Sequence, residues 1–395
     1  MCNTFCFVRN RRERSRFHCV TNVVDPLIDH AFLSHRPEGG VLIMSSSHLT
    51  PLEAKAILAA HLPQPPTELP VVSLLPSTDA DPTARASFCS CLVHSSTLAA
   101  SYLIILQISD SIEDSAISPF SVPSSLQAQY KLLCSLHAHV SSEPPPIPLP
   151  FPEPVALNTD VPLPYILARL PVPLTPTVPL RQLAAVRDSL PPQGAASLDL
   201  RFGVALRTLH SLQSEWCGPP TLEKEGLYSW QEAFTLLIEE TLTAAESAGL
   251  MSAVDLTALR SYLARAIGAF LFDDVEVPSL VAFTTGAESV FITGADGELQ
   301  LALLLPSLAH VLYGDPLLER AFSPSEAPSK ALLEGYGAPP PIVFARQRTK
   351  RMWYDLYLGL VVLLGARRVG GDQNTNWAVQ LVEQSKTSLK DAPCY

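Results

Sequence analysis

Residues 88–108 read FCSCLVHSSTLAASYLIILQI. Two apolar runs containing β-branched residues, 88–93 and 102–108, flank His94-Ser95-Ser96-Thr97. Apolar strand-length runs around a short polar turn predict a β-hairpin. Upstream, residues 62–86 are rich in proline, serine and threonine and read as loop around one apolar run, 71–75. Further upstream lies Thr50-Pro51-Leu52-Glu53. Threonine as N-cap, proline at the first helical position and glutamate at the third form a capping box. The helix it opens runs through Ala54, Ile57, Leu58 and His61. The folded part is expected to begin near Met44. Residues 1–43 are expected to be a disordered extension or the product of a mis-set start codon.

Downstream of the hairpin, Leu126, Tyr130, Leu133 and Leu136 recur at helical spacing. Residues 143–154 carry prolines at 144, 145, 146, 148, 150, 152 and 154. Fixed φ and missing N–H donors make this an extended connection. Residues 165–170 read as a short strand ended by Pro171. Three amphipathic helices follow. Leu198, Phe202, Ala205, Leu209 and Leu212 mark the first. Ser229 with Glu232 caps the second, which carries Trp230, Phe234, Leu237, Thr241 and Ala245. Leu256, Leu259, Leu263, Ile267 and Phe270 mark the third. Residues 279–292 and 299–305 are apolar strand candidates with a turn signal, Asp296-Gly297, between them. The chain is expected to end in a helix over 351–367. The order gives a β-rich front lobe joined to a helical back lobe, with a front division over 44–170 and a back division over 171–395.

Composition narrows the function. The 395 residues suffice for one large or two modest lobes. With 47% hydrophobic and 16% charged residues, the chain is not a wholly disordered polyampholyte. A net charge of −11 lacks the basic footprint of a general nucleic-acid binder. Cys2, Cys6, Cys19, Cys89, Cys91, Cys134, Cys217 and Cys394 form no paired CxxC blocks, which argues against structural zinc and for thiols in a reducing compartment. The most apolar stretch, 356–366, is shorter than the ~20 residues that span a bilayer. A cytoplasmic location is expected. Arg9, Arg11, Arg12, Arg14 and Arg16 leave a mitochondrial presequence as the other reading.

Six local motifs in this order resemble the aminoglycoside phosphotransferase family, in its divergent fungal form. The resemblance covers roughly residues 85–340. Residues 126–133 (LQAQYKLL) are similar to the family's front-lobe helix, 148–157 to its proline-rich approach to the hinge, and 164–170 to the hinge itself. Leu209-His210-Ser211-Leu212 resembles the "LHSL" after the hinge, Tyr313-Gly314-Asp315-Pro316 the "YGDP" after the metal-binding strand, and Glu334-Gly335-Tyr336 the "xGY" of the next helix. The resemblance implies an α+β, bilobal protein-kinase-like fold with a small β-rich N-lobe and a larger helical C-lobe.

The same resemblance sets out chemical slots, since phosphoryl transfer rests on positioned charges. The phosphate-binding lysine slot falls on Gln107 and its partner glutamate slot on Gln129. In the "HGDxxxxN" loop, the histidine slot falls on Ala282, the base on Thr284 and the metal asparagine on Ser289. The metal aspartate slot falls on Ser307, and the neighbouring tryptophan slot on Leu308. No "HGD" or "DW" occurs in the chain. Serines and cysteines at 87, 89, 90 and 91 stand where a glycine-rich loop would cover phosphates. Glu288 is the carboxylate that would substitute for the lost ones. Asp273, Asp274 and Asp296 read as surface residues.

The expectation is a phosphotransferase-like protein without phosphotransfer, a pseudokinase acting as a binding or scaffolding module, with no cofactor. The alternatives are an unorthodox phosphotransferase on a small-molecule hydroxyl, using ATP and Mg²⁺, and a protein binding a less charged small molecule. The partner would be a small molecule or a protein. His94, His137, His139, His210 and His310 show no metal spacing. Asp315 reads as a helix cap, and Trp353, Tyr354 and Tyr357 as core. Arg346, Arg348, Lys350 and Arg351 read as a solvated helix start, or else as a site for an anionic partner.

Overall fold

The structure, a computed structural model, describes residues 49–76, 82–108, 124–142, 149–172, 174, 180–220, 223, 226–294, 299–337, 344–369 and 375–393. The expected extension at 1–43, prolines 144–148, the Asp296-Gly297 turn and Cys2, Cys6, Cys19 and Cys394 lie outside them. Residues 46–395 form one compact unit.

The N-lobe opens with α1 (Pro51–His61). Its Thr50 cap accepts from the Glu53 N–H, and the Glu53 carboxylate accepts from the Thr50 N–H at 2.8 Å. This is the capping box read from the sequence. Then come β1 (Val71–Leu74), α2 (Pro82–Ser87), β2 (Phe88–Ser95), β3 (Ala100–Gln107), α3 (Leu126–Ser142), β4 (Glu153–Asn158) and β5 (Tyr165–Arg169). The five strands form one antiparallel sheet in the order β1-β2-β3-β5-β4. The expected hairpin is β2–β3, with Phe88 opposite Gln107 and Ser95 opposite Ala100.

Central strand β3 is apolar on both faces because both are covered. Tyr102, Ile104 and Leu106 pack with Ala54, Ile57 and Leu58 of α1. Leu103 and Ile105 join a second cluster with Leu132, Leu133 and Leu136 of α3. Strand β4 takes the end of the expected extended connection into the sheet. It emerges from the proline-rich stretch as an edge strand, with an irregular register between Pro154 and Ala156. An edge strand needs ladder donors on one side only, so proline is tolerated there.

The C-lobe comprises β6 (Arg181–Gln182), α4 (Leu183–Val186), α5 (Pro192–His210), α6 (Trp230–Ser247), α7 (Ala253–Gly268), β7 (Ser279–Val281), β8 (Val290–Thr293), β9 (Gln300–Leu304), β10 (Leu312–Gly314), α8 (Lys330–Tyr336), α9 (Ala345–Val369) and α10 (Asn376–Leu389). The 279–292 candidate divides into β7 and β8 with a loop between them. Strands β6-β8-β9 form one small sheet and β7-β10 another. Helices α6, α7, α9 and α10 share an apolar core containing Trp230, Phe234, Trp353, Tyr354 and Tyr357, as expected of that aromatic group. The chain does not end in the expected helix. That helix begins earlier, at Ala345, and α10 follows it.

The basic run is a solvated helix start only in its first half, where Arg348 is exposed and Arg346 half-buried. Lys350 and Arg351 are buried. Lys350 pairs with Asp274 at 2.7 Å and with Asp315. Arg351 pairs with Asp355 at 2.7 Å and donates to the Glu319 carbonyl at 2.9 Å. The ammonium and guanidinium enter the core because fixed anions and carbonyls meet them there. Asp315 caps the short helical turn after it, accepting from the Leu317 N–H at 2.9 Å.

Candidate functional site in the loop between β7 and β8

Residues 282–289 connect β7 to β8 on the side of the C-lobe that meets the N-lobe. Leu103, Ile105 and Ile166 of the N-lobe belong to the same apolar cluster as Leu280, Ala282, Val290 and Phe291 flanking this loop. The front of α3 is tied to the segment after β9, where the Ser124 N–H donates to the Ala309 carbonyl at 2.7 Å. The loop therefore sits where the two lobes share a core.

The loop is held from below by Glu319. This fully buried carboxylate accepts from the Ala282 N–H at 3.2 Å and lies 3.1 Å from His210 Nε2. His210 Nδ1 lies 2.9 Å from the Tyr336 hydroxyl. Burial pushes the Glu319 carboxyl above its ordinary range, against the pull of His210, the Ala282 N–H and Thr285. His210 is thus a satisfied core histidine.

From the side, the loop is held by Arg320. Its guanidinium donates to Glu288 at 3.0 Å and to Glu326 at 2.8 Å, and it lies over the Trp377 ring at 4.7 Å. Burial alone would lower the Arg320 pKa, but Glu288 and Glu326 raise it, so the cation is firmly charged. The Arg320 N–H also donates to the Phe283 carbonyl at 3.1 Å.

Within the loop, Thr284 is buried at 1% exposure and its hydroxyl has no hydrogen-bond partner among the described residues. The neighbouring Thr285 hydroxyl donates to the Ala282 carbonyl at 2.7 Å. Ser289 is buried and pairs through its backbone with Gly286 and Leu305. Ser307 precedes a helical turn, Leu308–His310, in which Leu308 is buried. Gln107 closes β3, half-buried, with its N–H donating to the Pro164 carbonyl. Gln129 is buried in the first turn of α3, and its amide donates to the Ser124 carbonyl at 2.8 Å. The structure thus brings Thr284, Glu288 and Ser289 onto one loop, with Gln107 and Gln129 on the N-lobe. Asp273 is exposed and Asp274 is taken by Lys350. Among the described residues, no three His, Cys, Asp or Glu side chains are grouped to hold a metal ion.

Glu319 and Arg320 are the residues that sequence reading overlooked. Their signal was local: two charges inside the apolar run PLLERAF, 316–322, directly after Gly-Asp. Charges embedded in so apolar a run are either buried and paired or out of place.

No protein-family model matches the chain. No curated protein matches it either. Solved structures do. The GDP and kanamycin complex of the aminoglycoside phosphotransferase APH(2″)-IIIa is 12% identical with a TM-score of 0.54, covering 85% of this chain and 99% of that one. A fructosamine-3-kinase candidate from Haemophilus somnus 129PT is 14% identical with a TM-score of 0.52, covering 84% and 96%. An aminoglycoside phosphotransferase candidate from Ralstonia eutropha JMP134 is 11% identical with a TM-score of 0.50, covering 85% and 95%. These likenesses establish the fold as bilobal and kinase-like.

Proposed function

We propose that this chain is an aminoglycoside-phosphotransferase-like pseudokinase that uses a small-molecule kinase fold as a binding or scaffolding module. The observation that carries the reading is the chemistry of the 282–289 loop. The base and metal slots that the family resemblance assigns fall on Thr284 and Ser289, both buried and neutral. The one carboxylate on the loop, Glu288, is already paired with Arg320. Mg²⁺ is usually held by one or two carboxylates together with substrate phosphates. A carboxylate facing an internal guanidinium is a poor ligand for a second cation. Gln107 and Gln129 offer no ammonium–carboxylate pair for phosphates. The residues present therefore do not fit Mg²⁺–ATP. One of the solved neighbours is a GDP and kanamycin complex, which supports a surviving small-molecule site in this chain.

No helix among the described residues is long and apolar enough to cross a membrane. Cys89, Cys91, Cys134 and Cys217 are not disulfide-bonded, which suits a reducing, cytoplasmic setting.

Thermal unfolding with millimolar ATP or GTP, with and without Mg²⁺, tests the reading. A ligand that binds the native state raises the midpoint, so the expected result is no shift with either nucleotide. A Mg²⁺-dependent rise abolished by Glu288→Gln, together with phosphate release, would establish the phosphotransferase instead.

A further inference from the structure

Strand β1 is one edge of the five-stranded sheet, and among the described residues no strand pairs with its outer side. The Leu75 N–H donates to the Ser90 carbonyl of β2 at 2.9 Å. Alternation along the strand therefore turns the N–H and C=O of Val71 and Ser73 toward β2 and those of Val72 and Leu74 outward. Residues 69–76, LPVVSLLP, carry no charge. Leu69, Val71 and Leu74 are at least half exposed, and so is Leu52 on α1. Leu52 lies one turn before Lys55, whose ammonium reaches the Thr67 carbonyl just ahead of β1 at 2.7 Å. An uncharged, apolar edge is a template for another strand. The opposite edge is built differently, since β4 carries Pro154 and an irregular register beside it, features that blunt an edge.

We propose that β1 pairs with β1 of a second copy of this chain, antiparallel, about a two-fold axis at Ser73. The segment itself selects this occupant. Pro70-Val71-Val72-Ser73-Leu74-Leu75-Pro76 presents the same residue classes from either end. With Ser73 opposite Ser73, Val72 of each copy meets Leu74 of the other. Those are the residues with outward groups, so each pair exchanges both N–H···O=C bonds. Val71 meets Leu75, apolar on apolar. Pro70 meets Pro76, and both fall outside the bonded ladder. A slip of two residues would bring a proline, without its N–H, into the ladder. No like charges face each other along the edge, although each copy carries a net charge of −11.

The arrangement is isologous and closes at two copies, because the blunted β4 edge offers no continuation. A ladder this short has the size of transient interfaces, below about 1,200 Å² in total. The dimer is therefore expected to come apart on dilution. None of this depends on the chemistry of the loop between β7 and β8.

Sedimentation equilibrium of the full chain across a dilution series is the test. Wild type is expected to show a monomer–dimer equilibrium. Ser73 is exposed, so Ser73→Lys and Ser73→Glu are expected to unfold at the wild-type midpoint. Each sets like charges directly opposite each other at the axis, and each alone is expected to be monomeric. An equimolar mixture of the two is expected to dimerise again. Ser73→Cys is expected to give a covalent dimer on mild oxidation, above the wild-type background. The non-hydrogen-bonded pair at the axis holds its Cα atoms about 4.5 Å apart, within disulfide reach. Wild type that stays monomeric throughout would overturn the proposal. So would a dimer that Ser73→Lys leaves intact, or a charge-paired mixture that stays monomeric.

Discussion

A single oxygen atom of Glu319 holds the loop between β7 and β8 to the C-lobe, accepting from the Ala282 N–H and facing His210. Removing the carboxylate leaves both groups buried without it. Glu319→Ala is expected to cost about 3–5 kcal/mol, the range for breaking a buried pair. Glu319→Gln keeps an acceptor for Ala282 and is expected to cost less. The pH response separates charge from shape. Burial raises the folded carboxyl above its unfolded value near ~4.3. The folded chain then keeps a proton that the unfolded chain has released. That contribution is complete below the unfolded value and is lost as pH rises through the folded one. Wild-type stability is therefore expected to fall relative to Glu319→Gln across that window. Parallel urea midpoints for the two proteins would contradict the assignment.

Among the elements, the crossing of α5 and α8 is the tightest packing. A Cβ on Gly203 would strike the Leu332 carbonyl oxygen and lie 2.7 Å from the Tyr336 nitrogen. A Cβ on Gly335 would strike the Leu200 carbonyl oxygen. These are backbone atoms and cannot swing aside as a side chain does. Alanine is better than glycine inside a helix by about 1 kcal/mol, so intrinsic propensity alone predicts that Gly203→Ala stabilises. The packing predicts the opposite sign. Gly203→Ala is expected to destabilise by roughly 2 kcal/mol, in the range of overpacked cores, as measured by urea unfolding. The crossing also sets the place of Tyr336, which meets His210 and through it Glu319.

At the scale of the molecule, one apolar cluster runs through both lobes. Leu103, Ile105 and Ile166 from the N-lobe share it with Leu206, Leu280, Phe291 and Leu303 from the C-lobe. A shared core makes the lobes unfold together. All four tryptophans, Trp216, Trp230, Trp353 and Trp377, lie in the C-lobe, so their fluorescence reports that lobe. Ile166→Ala, a substitution in the N-lobe, is expected to lower the tryptophan-detected midpoint by the equivalent of about 2–5 kcal/mol. An unmoved tryptophan transition, with a separate earlier one by circular dichroism, would show that the lobes are energetically independent.

The sequence by itself determined the elements whose signal is local. The apolar runs of β2 and β3, the Thr50–Glu53 capping box and the stripes of α5, α6 and α7 each depend on residues within a few positions. So does the order of elements, and with it the bilobal fold. Tertiary structure alone decided which polar groups are buried. Lys350 and Arg351 look solvated in a basic run, yet the Lys350 partners Asp274 and Asp315 lie 76 and 35 residues away. Glu319 meets His210 across 109 residues. Strand β4 needed an edge position before Pro154 was admissible in it. Periodicity is written into neighbouring residues, whereas the desolvation of a charge depends on what the rest of the chain brings to it.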